Sequence, residues 1–371
     1  GRLKNVAFVL PETGSVHTIS IASAKVEQTG EGSMQLSAEA DVDGRPLTLS
    51  ASAARKAGTP QIASFEVDAI LAEPAQSSGK AARLGDLTLR LTGSETGGGP
   101  PRLAASLSLD GLALDLEERG LLAADLAINA SLTTGTNKIS VDRMLVKIGR
   151  STFDFAGSIG PKPRTGVSSL EEPSYRYDLT SDRSTLAPED SPEPALDFVA
   201  RVAGTYETVS KRLVADTIGL RSGREGGVAG NAAVTFVEGK APGVFLALGV
   251  QDMPVSHVKQ LWPWLSAGSA RRWVMQNLFG GRVIEGNLQY AVAPGRVGNG
   301  VPLGPEEVFG RFRIHGSRFD TAGTIPPVRD AVGAVEFRGN DVDITLDSGA
   351  VFMPSGRVVA ASNGTLRIAK A

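Results

Sequence analysis

From Met34 to Val42 the chain alternates strictly, with Met34, Leu36, Ala38, Ala40 and Val42 on one side and Gln35, Ser37, Glu39 and Asp41 on the other. A period of two is that of a strand with one apolar and one solvated face, and it excludes a helix over the same residues. Asp43-Gly44 then supplies a hairpin turn, because glycine accepts the positive φ such turns require. The next strand follows with Leu47, Leu49, Ala51 and Ala53 facing one way. The same pattern recurs at Phe65, Val67, Ala69 and Leu71, at Leu87, Leu89 and Leu91, and at Leu103, Ala105, Leu107 and Leu109. A second Asp-Gly pair, Asp110-Gly111, reads as another turn before Leu112, Leu114 and Leu116. Leu126, Ile128, Ala130 and Leu132 continue the series, and Phe153 and Phe155 end it. The first half is therefore expected to be an almost purely β antiparallel meander.

Composition agrees with a thin, repetitive architecture. In 371 residues the hydrophobic fraction is 41%, but aromatics are only 5% and glycines number 44, so no deep core of large rings is implied. The stretch Ile139 to Gly157 resembles Leu213 to Ala232, each reading as strand, polar turn, strand with a glycine. Repeated strand units point to an elongated sheet, with a compact β-sandwich as the alternative. Pro161 to Pro173 and Ala187 to Pro194 lack apolar periodicity. The second divides the chain into 1–186 and 196–371, with 187–195 as a loop or hinge; one continuous sheet with a long projecting loop is the other reading.

A net charge of −2 gives no basic excess for nucleic acid. Cysteine is absent, as suits an exported chain that avoids stray disulfides. No run reaches the roughly 18 apolar residues of a membrane span. The chain opens Gly1-Arg2-Leu3, which is expected of a processed or excised piece with any anchor outside it. His17, His257 and His315 lie far apart and have no metal-site spacing, and Glu39-Asp41-Asp43-Gly44 fails as a calcium loop because Ser50 stands where a bidentate Glu is needed. Asp341, Asp343 and Asp347 alternate along a strand, as on a solvated face. There is no phosphate loop and no Gly-x-Ser-x-Gly elbow. The chain is expected to be no enzyme and to need no cofactor or metal.

All three tryptophans fall in one segment, Trp262-Pro263-Trp264 and then Arg271-Arg272-Trp273, closed by Gly280-Gly281-Arg282. Val255, Val258, Leu261 and Trp262 have helical spacing after Pro254, and Pro263 ends that helix. A second helix is expected over 266–279, with Ala270, Trp273, Val274, Asn277 and Leu278 as its stripe and Arg271 and Arg272 off it. Met253-Pro254, Leu261-Trp262-Pro263, Arg272-Trp273, Asn277-Leu278 and Gly281 with Val283 together resemble the AsmA-like superfamily, in particular its YhdP-type members. Gly310 to Ile314, the bend Ile325-Pro326-Pro327, Gly333 to Phe337 and Gly356 to Ile368 fit the same resemblance, which is specific over about residues 245–371.

That resemblance implies a mainly β chain: an elongated, strongly curved antiparallel sheet forming a groove, with a short helical insertion at 254–279. It implies a periplasmic location in a Gram-negative envelope, with the parent protein anchored in the inner membrane, and a role in conducting phospholipids between the inner and outer membranes. Acyl chains would lie against Met34, Leu36, Leu47, Leu49, Phe65, Val67, Leu87, Leu89, Leu91, Leu107, Leu109, Leu112, Leu114, Leu116, Leu126, Ile128, Phe153 and Phe155. Trp262, Trp264 and Trp273 with Arg271, Arg272 and Arg282 form a plug over the sheet or a gate that meets headgroups. The partners expected are phospholipid acyl chains, membranes through other parts of the parent protein, and envelope proteins, with no nucleic acid. The competing expectation is a structural or assembly factor that binds envelope proteins through its strand edges. An ordinary closed core is the plain alternative for every apolar face named, since alternation does not say what covers a face.

Overall fold

A computed structural model of the protein describes residues 6–9, 16–30, 32–59, 61–73, 82–83, 85–95, 101–115, 121–133, 135, 137–163, 173–223, 226–237, 239–262, 268–296, 299–320 and 326–368. Strand makes up 72% of the chain and helix 5%, an open antiparallel β architecture with two short helices, as the alternation requires. The chain divides after Gly160 into two compact units, so the 187–195 segment lies within the second unit and does not separate the two.

The first unit contains β1 (Val6–Val9), β2 (Val16–Gly30), β3 (Ser33–Val42), β4 (Arg45–Arg55), β5 (Ile62–Leu71), β6 (Ala82–Arg83), β7 (Asp86–Ser94), β8 (Arg102–Asp115), β9 (Leu121–Thr133), β10 (Ile139–Ile148) and β11 (Ser151–Pro161). Each strand pairs antiparallel with the next, except that β5 pairs with β7 and the short β6 pairs with β8. Asp43 at φ 54° and Gly44 at φ 82° form the β3–β4 turn, as the Asp-Gly signal predicts. Asp110-Gly111 does not turn the chain. β8 runs straight through it as a bulge, with Asp110 and Gly111 together opposite Asp125, Gly111 at φ 79°, and the Gly111 N–H donating to Asp125 Oδ1 at 3.1 Å. The same dipeptide thus makes a hairpin where the partner strand is its own continuation and a bulge where an outside strand is already paired.

Bulges also explain where the apolar pattern slips by one residue. In β10 the apolar positions change from Ile139 and Val141 to Met144 and Val146, and the register shifts between Val141 and Met144. In β2 they change from Ile19 and Ile21 to Ala24 and Val26, with a shift between Ile21 and Ser23. One extra residue restores the face that the slip would have inverted.

The second unit contains β12 (Ser174–Leu186), β13 (Leu196–Glu207), β14 (Arg212–Arg221), β15 (Gly227–Thr235), β16 (Gly243–Pro254), α1 (Val255–Leu261), α2 (Gly268–Asn277), β17 (Leu278–Phe279), β18 (Arg282–Val292), β19 (Val308–Phe319), β20 (Val328–Arg338), β21 (Asp341–Phe352) and β22 (Val358–Ile368). It too is an antiparallel meander; β16 pairs with β18, and the two-residue β17 pairs with the end of β19. The internal repeat corresponds to two hairpins, β10–β11 and β14–β15, which share a bulge at Val141/Met144 and at Ala215/Ile218. Asp341 and Asp343 lie on a solvated face, facing Arg367 at 3.3 and 3.7 Å.

Tyr177 anchors the start of the second meander. Its hydroxyl donates to the Val214 carbonyl at 2.9 Å, two strands away across Gly204. Burial, and then the Asp216 carboxylate, push the phenol up to about 12 from 10.0. A pKa raised in the folded state gives stability that is complete below the unfolded value and lost as pH climbs through the folded one. Chemical denaturation should therefore show stability falling between about pH 10 and 12, and Tyr177→Phe should flatten that fall while costing about 1 kcal/mol at neutral pH for the lost hydrogen bond.

Candidate functional site

The apolar positions of the first unit are placed in register. Leu36, Ala51, Val67, Leu91, Ala105, Ala130 and Val141 are direct cross-strand partners in one row. The next row is Ala38, Leu49, Ala69, Leu89, Leu107, Ile128, Met144 and Phe155, and the one after it Ala40, Leu47, Leu71, Leu87, Leu109, Leu126, Val146 and Phe153. Met34, Ala53, Phe65, Gly93, Leu103, Leu132 and Ile139 form a fourth. Directly opposed side chains lie on the same face of an antiparallel sheet, so four rows make one apolar surface. Its reverse is mostly polar, with Ser50, Glu66, Arg90, Ser106 and Asn129 exposed, although Ile70 is exposed there too.

Sixteen of the eighteen residues expected to meet acyl chains are described here with their side chains. Leu112, beyond the bulge of β8, pairs with Ala124 and extends the surface. Leu114 pairs with Leu122 in backbone register, and Leu116 lies outside the described residues. These sixteen side chains stay half-buried, except Met34, which is exposed. Of the buried apolar residues among those described, only Ala113 and Val141 belong to this unit, while the rest, from Tyr177 to Val342, belong to the other. Among the described residues no helix lies in the first unit.

The second unit differs because α1 and α2 lie over its sheet. Val255, Val274 and Leu278 from the helical segment are buried with Val228, Val250, Val283, Leu288, Val335 and Phe337 from the strands. The helix start at Val255, after Pro254, follows the expected spacing; α2 ends at Asn277, and Leu278-Phe279 leaves it to pair with Phe319 and Arg318. Among the described residues an apolar pocket of about 60 Å3 remains under the helices, less than half of the roughly 150 Å3 that admits a benzene ring. Little of the apolar face stays open beneath them.

Cross-strand glycines seat this cover. Gly286 lies opposite Phe312 and Gly310 opposite Phe337, so each ring can lie flat over a neighbour without a Cβ. The two phenyl rings stack at 6.0 Å, and Trp262 stacks on Phe337 at 5.4 Å. The Trp262 indole Nε1–H is buried with no acceptor among the described residues, a cost of about 1–3 kcal/mol that ring stacking and apolar burial must offset. Trp273 packs against the same core, and Trp264 lies outside the described residues.

Two buried cations lock the helices to the 187–195 loop. The Lys259 ammonium is 2% exposed; it pairs with Glu193 and donates to the carbonyls of Met275 and Leu278 at 3.1 and 2.8 Å. Gln260 donates to the Glu193 and Pro194 carbonyls at 3.1 and 2.6 Å. Arg271 is 5% exposed and grips Asp190 with both terminal nitrogens, the longer contact being 2.9 Å. This corrects two expectations. The loop is fastened to the helices, so it does not act as a free hinge, and Arg271 is committed inside the fold, so it is not offered to headgroups. Helical periodicity places Arg271 off the apolar stripe, but the loop covers that side and supplies the carboxylate. Arg272 is exposed, and Arg282 is held by the Asp252 carboxylate at 2.7 Å and its carbonyl at 2.6 Å. Neither Lys259 nor Gln260 was singled out in the sequence, because a polar residue in a short helix reads as solvated.

Removing one partner of a buried pair leaves an uncompensated charge. Glu193→Gln should therefore lower stability by about 3–5 kcal/mol, and Lys259→Met with Glu193→Gln should cost less than the sum of the single changes, as a double-mutant cycle by denaturation would measure. Gly310→Ala would place a methyl 2.2 Å from the Phe337 ring; about 1–3 kcal/mol of stability should be lost, together with the near-UV signal of the stacked Trp262. No family model, curated protein or solved structure matches this chain.

Proposed function

We propose that the chain is a non-enzymatic segment of a bacterial envelope protein, one that holds and conducts phospholipid acyl chains along the apolar face of its first unit. The observation that carries this reading is the four-row surface, apolar on one face, mostly polar on the other, and half-buried with no helix over it among the described residues. Rows two residues apart cover roughly 20 Å along the strands, and the eight strands that carry them span about 34 Å across the sheet. One leaflet of a bilayer is about 15 Å of hydrocarbon, so an acyl chain fits across the rows with its headgroup in water. Burial contributes about 0.8 kcal/mol per methylene. Such binding is strong in sum and weak at each step, which suits movement from strand to strand. The resemblance to AsmA-like proteins supports the same reading and carries with it the periplasmic location and an inner-membrane anchor in the parent protein.

A photo-reactive amino acid at Leu89 should crosslink phospholipid, whereas the same group at Ser106 on the polar face should not. Leu107→Asp, whose side chain lies in the same row as Leu89, should reduce that capture at least tenfold while the far-UV circular dichroism stays unchanged, because a carboxylate on the surface adds a desolvation cost to every passing chain. Equal capture at Leu89 and Ser106, or capture unaffected by Leu107→Asp, would sink the reading and favour an assembly factor that acts through its strand edges.

A further inference from the structure

The helix-covered face of the second unit has an uncovered margin. Beyond the row of Tyr177 and Ala215, the next cross-strand row is Tyr175, Tyr206, Leu213 and Val234 on the same face. This row ends at the loops joining β13 to β14 and β15 to β16, which are tied by the Phe236 N–H donating to the Lys211 carbonyl at 3.0 Å. Exposed at that end are Tyr175 (46%), Tyr206 (36%), Val209 (72%), Phe236 (47%) and Val237 (39%). Surface aromatics and aliphatics gathered on adjacent turns are a contact site and not scattered exceptions.

Among the described residues the charges around them are mostly basic: Lys162, Arg176, Lys211, Arg212 and Lys240 stand on the same strand ends and turns, and Glu207 lies directly opposite Arg212. By sequence Arg164, Glu171, Glu172 and Glu238 fall in the adjoining segments, which leaves the end with more cations than carboxylates. Tyrosine presents an apolar ring with a polar tip, and lysine and arginine bury their stems while keeping the charge in water. Apolar side chains that share a strand end with basic ones match a surface that is hydrocarbon below and phosphate above.

We infer that this end of the second unit docks on an anionic lipid surface, with Val209 and Phe236 entering the headgroup boundary and Lys211, Arg212 and Lys240 meeting phosphate. The inference extends the lipid-handling reading by naming where the chain touches a bilayer, and it uses no residue of the first unit's apolar face. Each basic side chain near an anionic membrane contributes about fivefold to binding.

Sedimentation of the full chain with vesicles tests it. The chain should pellet with phosphatidylcholine vesicles containing phosphatidylglycerol and far less with phosphatidylcholine alone, and added salt should release it. Lys211→Ala with Arg212→Ala should weaken binding on the order of 25-fold, and Val209→Asp with Phe236→Asp should abolish it. All four side chains are outside the buried core, so unchanged melting is the fold control. Leu107→Asp should pellet like the unaltered chain, which separates failure of this docking from failure of acyl-chain capture. No pelleting with phosphatidylglycerol, equal pelleting with neutral vesicles, or insensitivity to both double variants would overturn the inference.

Discussion

Cross-strand register is the constraint on which the rest of the protein depends. A strand's side chains alternate between faces, so the apolar set of one strand meets that of the next only if the pairing is exact to the residue; a slip of one would turn every leucine to water. In the first unit the ladder holds four apolar rows in line, and where the sequence itself slips, at Ile21/Ser23 and Val141/Met144, a bulge absorbs the extra residue. The bulges are therefore part of how the surface is made continuous. They cost local pairing and preserve the much larger lateral contact among half-buried Leu, Val and Ala side chains.

The same ladder is used differently in the second unit. Its apolar face is closed by two short helices, which are too short to be stable alone and depend on what they pack against. Three features hold them: a flat aromatic seat made by Phe312 and Phe337 over Gly286 and Gly310, a lysine whose charge is met by Glu193 and two carbonyls, and an arginine clasped by Asp190. Buried ion pairs gain little over apolar packing but penalise every alternative that separates them. They therefore fix where the helices sit more than how tightly they are held. The two units thus present one architecture in two conditions, a face with no helical cover among the described residues and a face with one.

Much of the fold was legible in the residues. Alternation from Met34 to Phe155 places the strands, Asp43-Gly44 places a hairpin, and the spacing of Val255 to Trp262 places a helix, because each signal is local and is decided by the nearest few residues. Asp110-Gly111 misled for the opposite reason: whether an Asp-Gly pair turns or bulges depends on a partner strand elsewhere in the chain. The loop 187–195 misled in the same way, since its prolines and carboxylates look like a linker until Lys259, Gln260 and Arg271 are found against it, some 66 to 81 residues away. The Phe-over-Gly pairs were invisible as well, because a glycine's cross-strand neighbour is known only once the register is known.

The sequence by itself determined that the chain is built of two-faced antiparallel strands, which residues form the apolar face of each, and that one tryptophan-rich helical segment interrupts them. These are consequences of backbone geometry acting over a few residues. The tertiary structure alone decided what lies over each face: helices in the second unit, none among the described residues of the first. Coverage depends on long-range packing, on Trp262 finding Phe337 and Glu193 finding Lys259, and an alternating strand carries the same pattern whether its apolar side meets a helix, another sheet or an acyl chain.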